Sequence, residues 1–232
     1  VACPKNVPFE TIETTGVGLV VADGGGDGDG GDVITQMSRR STAADGSTAA
    51  AVDAGCGDPT KKLVVHFLDV EQALSAFVEL PDGQTILVDI GLRKNAVSKH
   101  IADFLRPRLK GQPLSMLWIT HQHADHLGGA PWVFDAGIRT HWLVDNGTNQ
   151  GEPQVKALRA AVRDAGYRSI TPQDASLPIS VAPPLELSAV VPPSWPHNCN
   201  EQNDCSIGLL VRYCASSVLF TGTAMKDAEA VL

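Results

Sequence analysis

The pattern of apolar and polar positions changes character near residue 60. Before Lys61 no apolar period is sustained, whereas from Leu63 onward short β-rich runs alternate with segments of helical spacing. Residues 63–68 (Leu-Val-Val-His-Phe-Leu) form the first run, residues 75–80 a second and residues 85–90 a third. Pro81-Asp82-Gly83 is a turn signal between the last two, which predicts a hairpin over 75–90. Apolar residues at 97, 101, 104 and 105 share one helical face, so 95–105 is a helix that Pro107 is expected to end. Residues 114–119 are a buried strand running straight into His121. A short helix follows over 127–134, and then a strand over 140–144. Residues 153–165 read as a helix with Pro153 in its first turn and Gly166 just past its end. Strands follow at 185–191, 206–213 and 217–221, and a helix begins at Thr223 and is still running at Leu232. Strand-rich layers with helices between them predict a mixed α/β layered domain over 61–232, preceded by a spacer over 1–60.

Composition sharpens that division. The net charge is −8, yet residues 1–60 hold 3 Lys/Arg against 9 Asp/Glu, so most of the acidity lies outside the patterned part. Residues 23–32 are only Gly and Asp, and 41–58 are almost all Ser, Thr, Ala, Gly and Asp. Such segments bury too little apolar surface to offset their ordering entropy, which predicts a flexible spacer. Asp27 and Asp29 have the spacing that opens a calcium loop. The loop would need Gly and Glu where Asp32 and Ser38 stand, so the spacer reading is preferred. No window approaches the apolar length of a membrane span.

Val1-Ala2-Cys3 followed by a polar spacer resembles the end of a bacterial lipoprotein signal, with Cys3 as the lipidated residue. The other reading is an arbitrary start. Of the remaining cysteines, Cys199 and Cys205 close a short polar loop and could pair in an oxidising compartment. Cys56 and Cys214 would then complete an even number, although Cys214, in an apolar run, also fits a buried free thiol. An extracytoplasmic location is the expectation.

The candidate chemistry is concentrated in His121-Gln122-His123-Ala124-Asp125-His126, on the loop leaving a buried strand. Three imidazoles and a carboxylate in six residues suit one or two ions of zinc or manganese. His121 and His123 could grip one ion, and Asp125 and His126 a second.

His-x-His-x-Asp-His after an apolar strand resembles the metallo-β-lactamase superfamily. Residues 65–70 (Val-His-Phe-Leu-Asp-Val), 79–89 (Glu-Leu-Pro-Asp-Gly-Gln-Thr-Ile-Leu-Val-Asp) and 119–129 resemble one branch more narrowly. That branch is the soluble hydrolase domain of the DNA-internalisation competence protein ComEC and its free-standing relatives. Residues 203–206 (Asn-Asp-Cys-Ser) and 219–222 (Leu-Phe-Thr-Gly) continue the match. The resemblance implies an αββα sandwich with its metal site at one edge. It also implies attack of a metal-bound hydroxide on a phosphodiester, thioester or amide, with DNA as the substrate of that branch. Carried over by position, His121 and His123 hold the first metal, and Asp125, also the catalytic carboxylate, holds the second with His126. Asp89 orients a ligand from behind.

Three departures from the resemblance stand out. Leu74 replaces a carboxylate expected near the site, and Thr223 replaces the Asp that bridges the metals. A later histidine motif would lie beyond Leu232, so the domain is expected to lack its C-terminal part. His197, just before the loop that delivers another histidine ligand in many members, and Asp204, which with Asn203 lies nearer the aligned position, are the candidates to complete the set. Glu71 is a candidate ligand or base, more simply read as a solvated carboxylate. His66 reads as a satisfied strand residue. Arg93, Lys94, Lys99, Arg106, Arg108 and Lys110 make a basic stripe that fits either a DNA track or, preferably, a solvated helix face. The expected function is a metal-dependent hydrolase, with a phosphodiester or other small hydrolysable substrate. The alternative is a degenerate relative with a binding or structural role.

Overall fold

The computed structural model describes residues 10–14, 18–23, 56, 58, 60–71, 73–193, 195, 199 and 201–223. The strands are β1 (Glu10–Thr14), β2 (Gly18–Asp23), β3 (Leu63–Phe67), β4 (Ala76–Glu79), β5 (Thr85–Val88), β6 (Met116–Trp118), β7 (Trp142–Asp145), β8 (Gly166–Ser169), β9 (Leu185–Val190), β10 (Gly208–Tyr213) and β11 (Ser216–Gly222). The helices are α1 (Asn95–Leu109), α2 (Ala124–Leu127), α3 (Ala130–Asp135) and α4 (Pro153–Ala161), and a 3-10 turn spans Gln202–Cys205.

A seven-stranded sheet runs β1-β3-β4-β5-β6-β7-β8, and a four-stranded sheet runs β2-β11-β10-β9. Strands β5 to β8 are parallel neighbours. Their side chains alternate between two cores, which is why the runs read as continuously apolar: both faces of the sheet are covered. Leu87 and Leu117 join Val97, Ile101, Leu105 and Val133 beneath the helices. Ile86, Val88, Met116 and Trp118 join Leu209, Val211, Val218 and Phe220 between the sheets. Helices, large sheet and small sheet therefore form successive layers, as the mixed α/β reading expects. The expected helix beyond Thr223 lies outside the described residues.

The structure corrects several local expectations. Two segments inside the 1–60 spacer are strands: β1 pairs antiparallel with β3, and β2 runs parallel to β11. The Gly/Asp-rich average concealed the short run Leu19-Val20-Val21, whose residues suit a strand. Helix α1 continues past Pro107, because a proline in the last turn removes only one intrahelical bond. The helix stops instead at Lys110 and Gly111, whose φ angles are 51° and 83°. Residues 166–169, read as following a helix, form the edge strand β8.

The expected helix over 127–134 is two helices broken at Gly128-Gly129. A Cβ on Gly129 would lie 2.2 Å from the Ile90 carbonyl oxygen, so this close approach of loop to strand end requires glycine. Cys214 lies exposed in the β10–β11 turn and pairs with Cys56, so the free-thiol reading is wrong; Cys199 and Cys205 pair as expected. Among the described residues no helix is long and apolar enough to cross a membrane.

Candidate metal centre

The site gathers at the carboxyl ends of parallel strands β5, β6 and β7, where an α/β sheet leaves a crevice. The chain after β5 turns at Asp89, which holds φ at 55° and is completely buried. Its carboxylate accepts three hydrogen bonds. Oδ1 takes the Thr120 backbone N–H at 2.8 Å, and Oδ2 takes the Thr120 hydroxyl at 2.8 Å and His126 Nδ1 at 2.7 Å. A proton held on His126 Nδ1 leaves Nε2 with its lone pair, the form that binds a metal.

The loop after β6 and the one-turn helix α2, which carries Asp125 and His126, then present their donors in two pairs. His121 Nε2 and His123 Nδ1 face each other at 3.1 Å. His126 Nε2 stands 3.5 Å from Asp125 Oδ2. Zinc–ligand bonds near 2.1 Å in a tetrahedral site set neighbouring donors about 3.4 Å apart, so each pair is near the spacing of two ligands on one ion. The His121 and His126 ring centroids are 4.0 Å apart, so the two pairs adjoin. His121 is fully buried. Burial, reinforced by His126 and His123, holds its pKa well below that of an ordinary histidine and keeps the ring in its neutral, ligating form. The residues present fit metal ions as two donor pairs. Neither pair is completed by its own residue type: among the described residues no group of three or more His, Cys, Asp or Glu is placed to hold one ion.

The other expected site residues are dispersed. Asp204 lies in the 3-10 turn above the strand ends. That turn is tied to the histidine loop by Ile207 N–H to Thr120 O at 2.9 Å, and to the loop after β7 by Asn146 Nδ2 to Cys205 O at 2.9 Å. His197 and Cys3 lie outside the described residues. Thr223 brings its hydroxyl within 3.3 Å of His126 Nε2, and Leu74 is buried. Glu71 is exposed and paired with Lys94 at 2.6 Å, and His66 is buried against Glu79 at 2.8 Å. The basic stripe is partly neutralised: Lys99 and Arg106 both pair with Asp103, and Arg108 stacks on Phe104 at 3.6 Å.

Several supporting residues have no counterpart in the sequence reading. Gln122 Oε1 accepts from the Thr148 hydroxyl, which also donates to Asn146 Oδ1, so a neutral relay links the histidine loop to the 3-10 turn. Asp145, fully buried, accepts Tyr167 Oη–H at 2.7 Å, Gly147 N–H at 2.8 Å and Arg159 Nη2–H at 3.1 Å. Burial nevertheless raises its pKa. Asp145-Asn146-Gly147 after a strand is a turn signal that could have drawn attention to this loop.

The model of the metallo-beta-lactamase superfamily matches residues 68–224, and the chain belongs to that superfamily. No curated protein matches it. Among solved structures it is similar to the MIM-2 metallo-beta-lactamase, with 15% identity and a TM-score of 0.40 over 68% of this chain and 57% of that one. It is also similar to a Cronobacter sakazakii metallo-beta-lactamase with a HARLDQ motif, with 18% identity and a TM-score of 0.41 over 70% and 61%. The chain thus spans about three-fifths of each of these proteins.

Proposed function

We propose that the protein is a metal-dependent hydrolase acting through one or two ions held by the His121–His126 loop. The observation that carries this reading is the pairing of donors: His121 Nε2 with His123 Nδ1 at 3.1 Å, beside His126 Nε2 with Asp125 Oδ2 at 3.5 Å. Held by these residues, zinc or manganese would supply a water acidified towards neutral pH and would polarise the bond to be cleaved. The chain's own contribution is to fix the ligands before binding. Asp89 keeps the His126 proton on Nδ1, and the complete burial of His121 keeps that ring neutral. Asp125, more exposed than His121 and His126, offers its other carboxylate oxygen to orient a water or take its proton.

The substrate we assign is a phosphodiester, with DNA in view, on the resemblance to the ComEC branch. The ion-paired state of Lys94, Lys99 and Arg106 supports a solvated helix face rather than a continuous phosphate track. Two disulfides support an oxidising, extracytoplasmic setting, consistent with lipid anchorage at Cys3. Hydrolysis of bis(p-nitrophenyl) phosphate and of linear DNA, with and without added manganese or zinc, tests the activity. Turnover that disappears in His123→Ala supports it, and equal turnover in that variant overturns it.

One observation favours a second reading, a binding role on a degenerate site. Thr223 stands at His126 Nε2, where the resemblance expects a carboxylate, and a neutral hydroxyl holds a cation poorly. Metal uptake without turnover on any phosphodiester, thioester or amide would select that reading.

A further inference from the structure

The two disulfides sit in opposite surroundings. Cys56–Cys214 has a sequence separation of 158, and Cys214 is exposed at the tip of a hairpin. Cys199–Cys205 has a separation of 6, and both of its cysteines are buried. The constraint a disulfide places on the unfolded chain grows with the loop it closes, so the short bridge adds less to global stability and acts locally. What it holds is the 3-10 turn. Gln202 Nε2 donates to the Cys199 carbonyl at 2.7 Å, but the buried atoms Gln202 Oε1, Asn203 Oδ1 and Ser206 Oγ have no hydrogen-bond partner. A turn that leaves these polar atoms unmet is not secured by its own side chains, and the covalent bridge secures it.

From that turn two routes of hydrogen bonds reach the histidine loop. The first is direct: the Ile207 N–H, just past Cys205, donates to the Thr120 carbonyl at 2.9 Å, and Thr120 adjoins His121. The second runs through the loop after β7. Asn146 is buried and donates Nδ2–H to the Cys205 carbonyl at 2.9 Å. Its Oδ1 accepts the Thr148 N–H at 3.1 Å and lies 2.9 Å from the Thr148 hydroxyl, which is 3.2 Å from Gln122 Oε1. Gln122 stands between His121 and His123. The carbonyl of a bridged cysteine thus anchors one end of a relay whose other end separates the two imidazoles.

We propose that formation of the Cys199–Cys205 disulfide readies the His121–His123 pair for metal, so that the site matures by oxidation. This rests on the hydrolase reading and adds a regulation of that same site. In the step, a disulfide donor such as oxidised glutathione accepts two electrons. The Sγ–Sγ bond forms, both thiol protons pass to the donor, and the donor's own S–S bond breaks to give two thiols. With the bridge open, the turn relaxes to satisfy its buried polar atoms. Ile207 and the Cys205 carbonyl shift with it, and the histidine pair loses its fixed spacing. Burial of both sulfurs shields the bridge from mild reductants once the domain has folded, so oxidation commits the site rather than gating it reversibly.

Cobalt(II) and zinc titrations of the full chain, read by visible absorption and chelator competition, test this without any assay of turnover. Serine replaces both cysteines of a bridge, because a freed thiol would itself bind zinc. Cys199→Ser/Cys205→Ser should weaken metal binding by at least about tenfold and change the cobalt spectrum. Cys56→Ser/Cys214→Ser removes the longer bridge and should leave affinity within about twofold of the parent, since that bridge shares no partner with the relay. Asn146→Ala and Thr148→Val should each weaken binding in the bridged protein. Either should add little to Cys199→Ser/Cys205→Ser, because they cut the same relay. Thermal melting of the metal-free variants separates a displaced loop from a lost fold, and Thr148→Val keeps the test decisive if Cys199→Ser/Cys205→Ser unfolds. Affinity within about twofold of the parent in folded Cys199→Ser/Cys205→Ser, or in Thr148→Val should the former unfold, overturns the proposal. So does an equal loss in Cys56→Ser/Cys214→Ser. If His121→Ala/His123→Ala also leaves binding intact, the hydrolase reading falls with it. If that double variant abolishes binding while Cys199→Ser/Cys205→Ser does not, only the role of the disulfide fails.

Discussion

Asp89 holds His126 through a 2.7 Å contact between two completely enclosed side chains, a carboxylate at the end of one strand and an imidazole on the one-turn helix after the next. The same carboxylate holds Thr120 at both its backbone and its hydroxyl, so one residue sets the start of the loop and the tautomer of its last histidine. Asp89→Asn replaces one acceptor oxygen with an amide donor and cannot serve all three partners. Metal affinity should fall about 10- to 100-fold, as measured by competition with a chromogenic chelator. An unchanged affinity would mean that the ring is oriented by its packing alone.

Gly222 makes the second close approach. Its φ is 67°, and a Cβ there would lie 2.6 Å from Thr120 Cβ and Oγ1. Gly222→Ala should therefore destabilise the fold by about 2 kcal/mol or more and displace Thr120 from Asp89. Denaturant melts of the metal-free protein measure the first effect, and metal titration measures the second. A neutral substitution would show that β11 ends further from the loop.

The disulfide between Cys56 and Cys214 spans a sequence separation of 158 and pins the segment before β3 to the tip of the β10–β11 hairpin. Closing so long a loop restricts the unfolded chain, for which the chain-entropy account gives up to about 5 kcal/mol. Cys214→Ser should lower unfolding free energy by about 2–5 kcal/mol in denaturant titrations. A loss below about 1 kcal/mol would mean that the segment adds nothing to the domain's stability.

Asp145 gives the fold a pH dependence with a definite sign. Burial raises its pKa above the ordinary 3.8, so the folded state holds this proton to higher pH than the unfolded state does. The associated stability is fully present below the unfolded pKa and is lost as pH rises through the folded one. In Asp145→Asn that limb vanishes, so the variant should gain on the parent as pH climbs from about 4. A stability difference that stays flat with pH would contradict the raised pKa.

The sequence is legible where local pattern and tertiary environment agree. Residues 63–90 read as strands because both faces of the large sheet are covered, and the histidine loop reads as a metal site because no packing role needs such a cluster. Strands β1, β2 and β8 have weak patterns: β1 (Glu-Thr-Ile-Glu-Thr) carries one apolar residue, β2 borders the Gly/Asp-rich stretch, and residues 166–169 carry no apolar run. The Cys56–Cys214 pairing has no local signature at all. Asn146 and Thr148 were invisible for a different reason: neutral hydrogen-bonding residues in a turn look alike whether or not they brace a site. The resemblance puts Asn203 with Asp204 near the aligned ligand position, but an amide in a polar loop carries no pattern of its own. Its unpartnered oxygen emerges only once burial is known.

Elemental analysis of protein purified without added metal, with His121→Ala/His123→Ala alongside, tests the central claim most directly. The donor pairs predict about one to two zinc or manganese ions per chain, lost or halved in the double variant. Metal-free protein that also fails to take up added zinc or manganese, or equal metal content in the double variant, would contradict it.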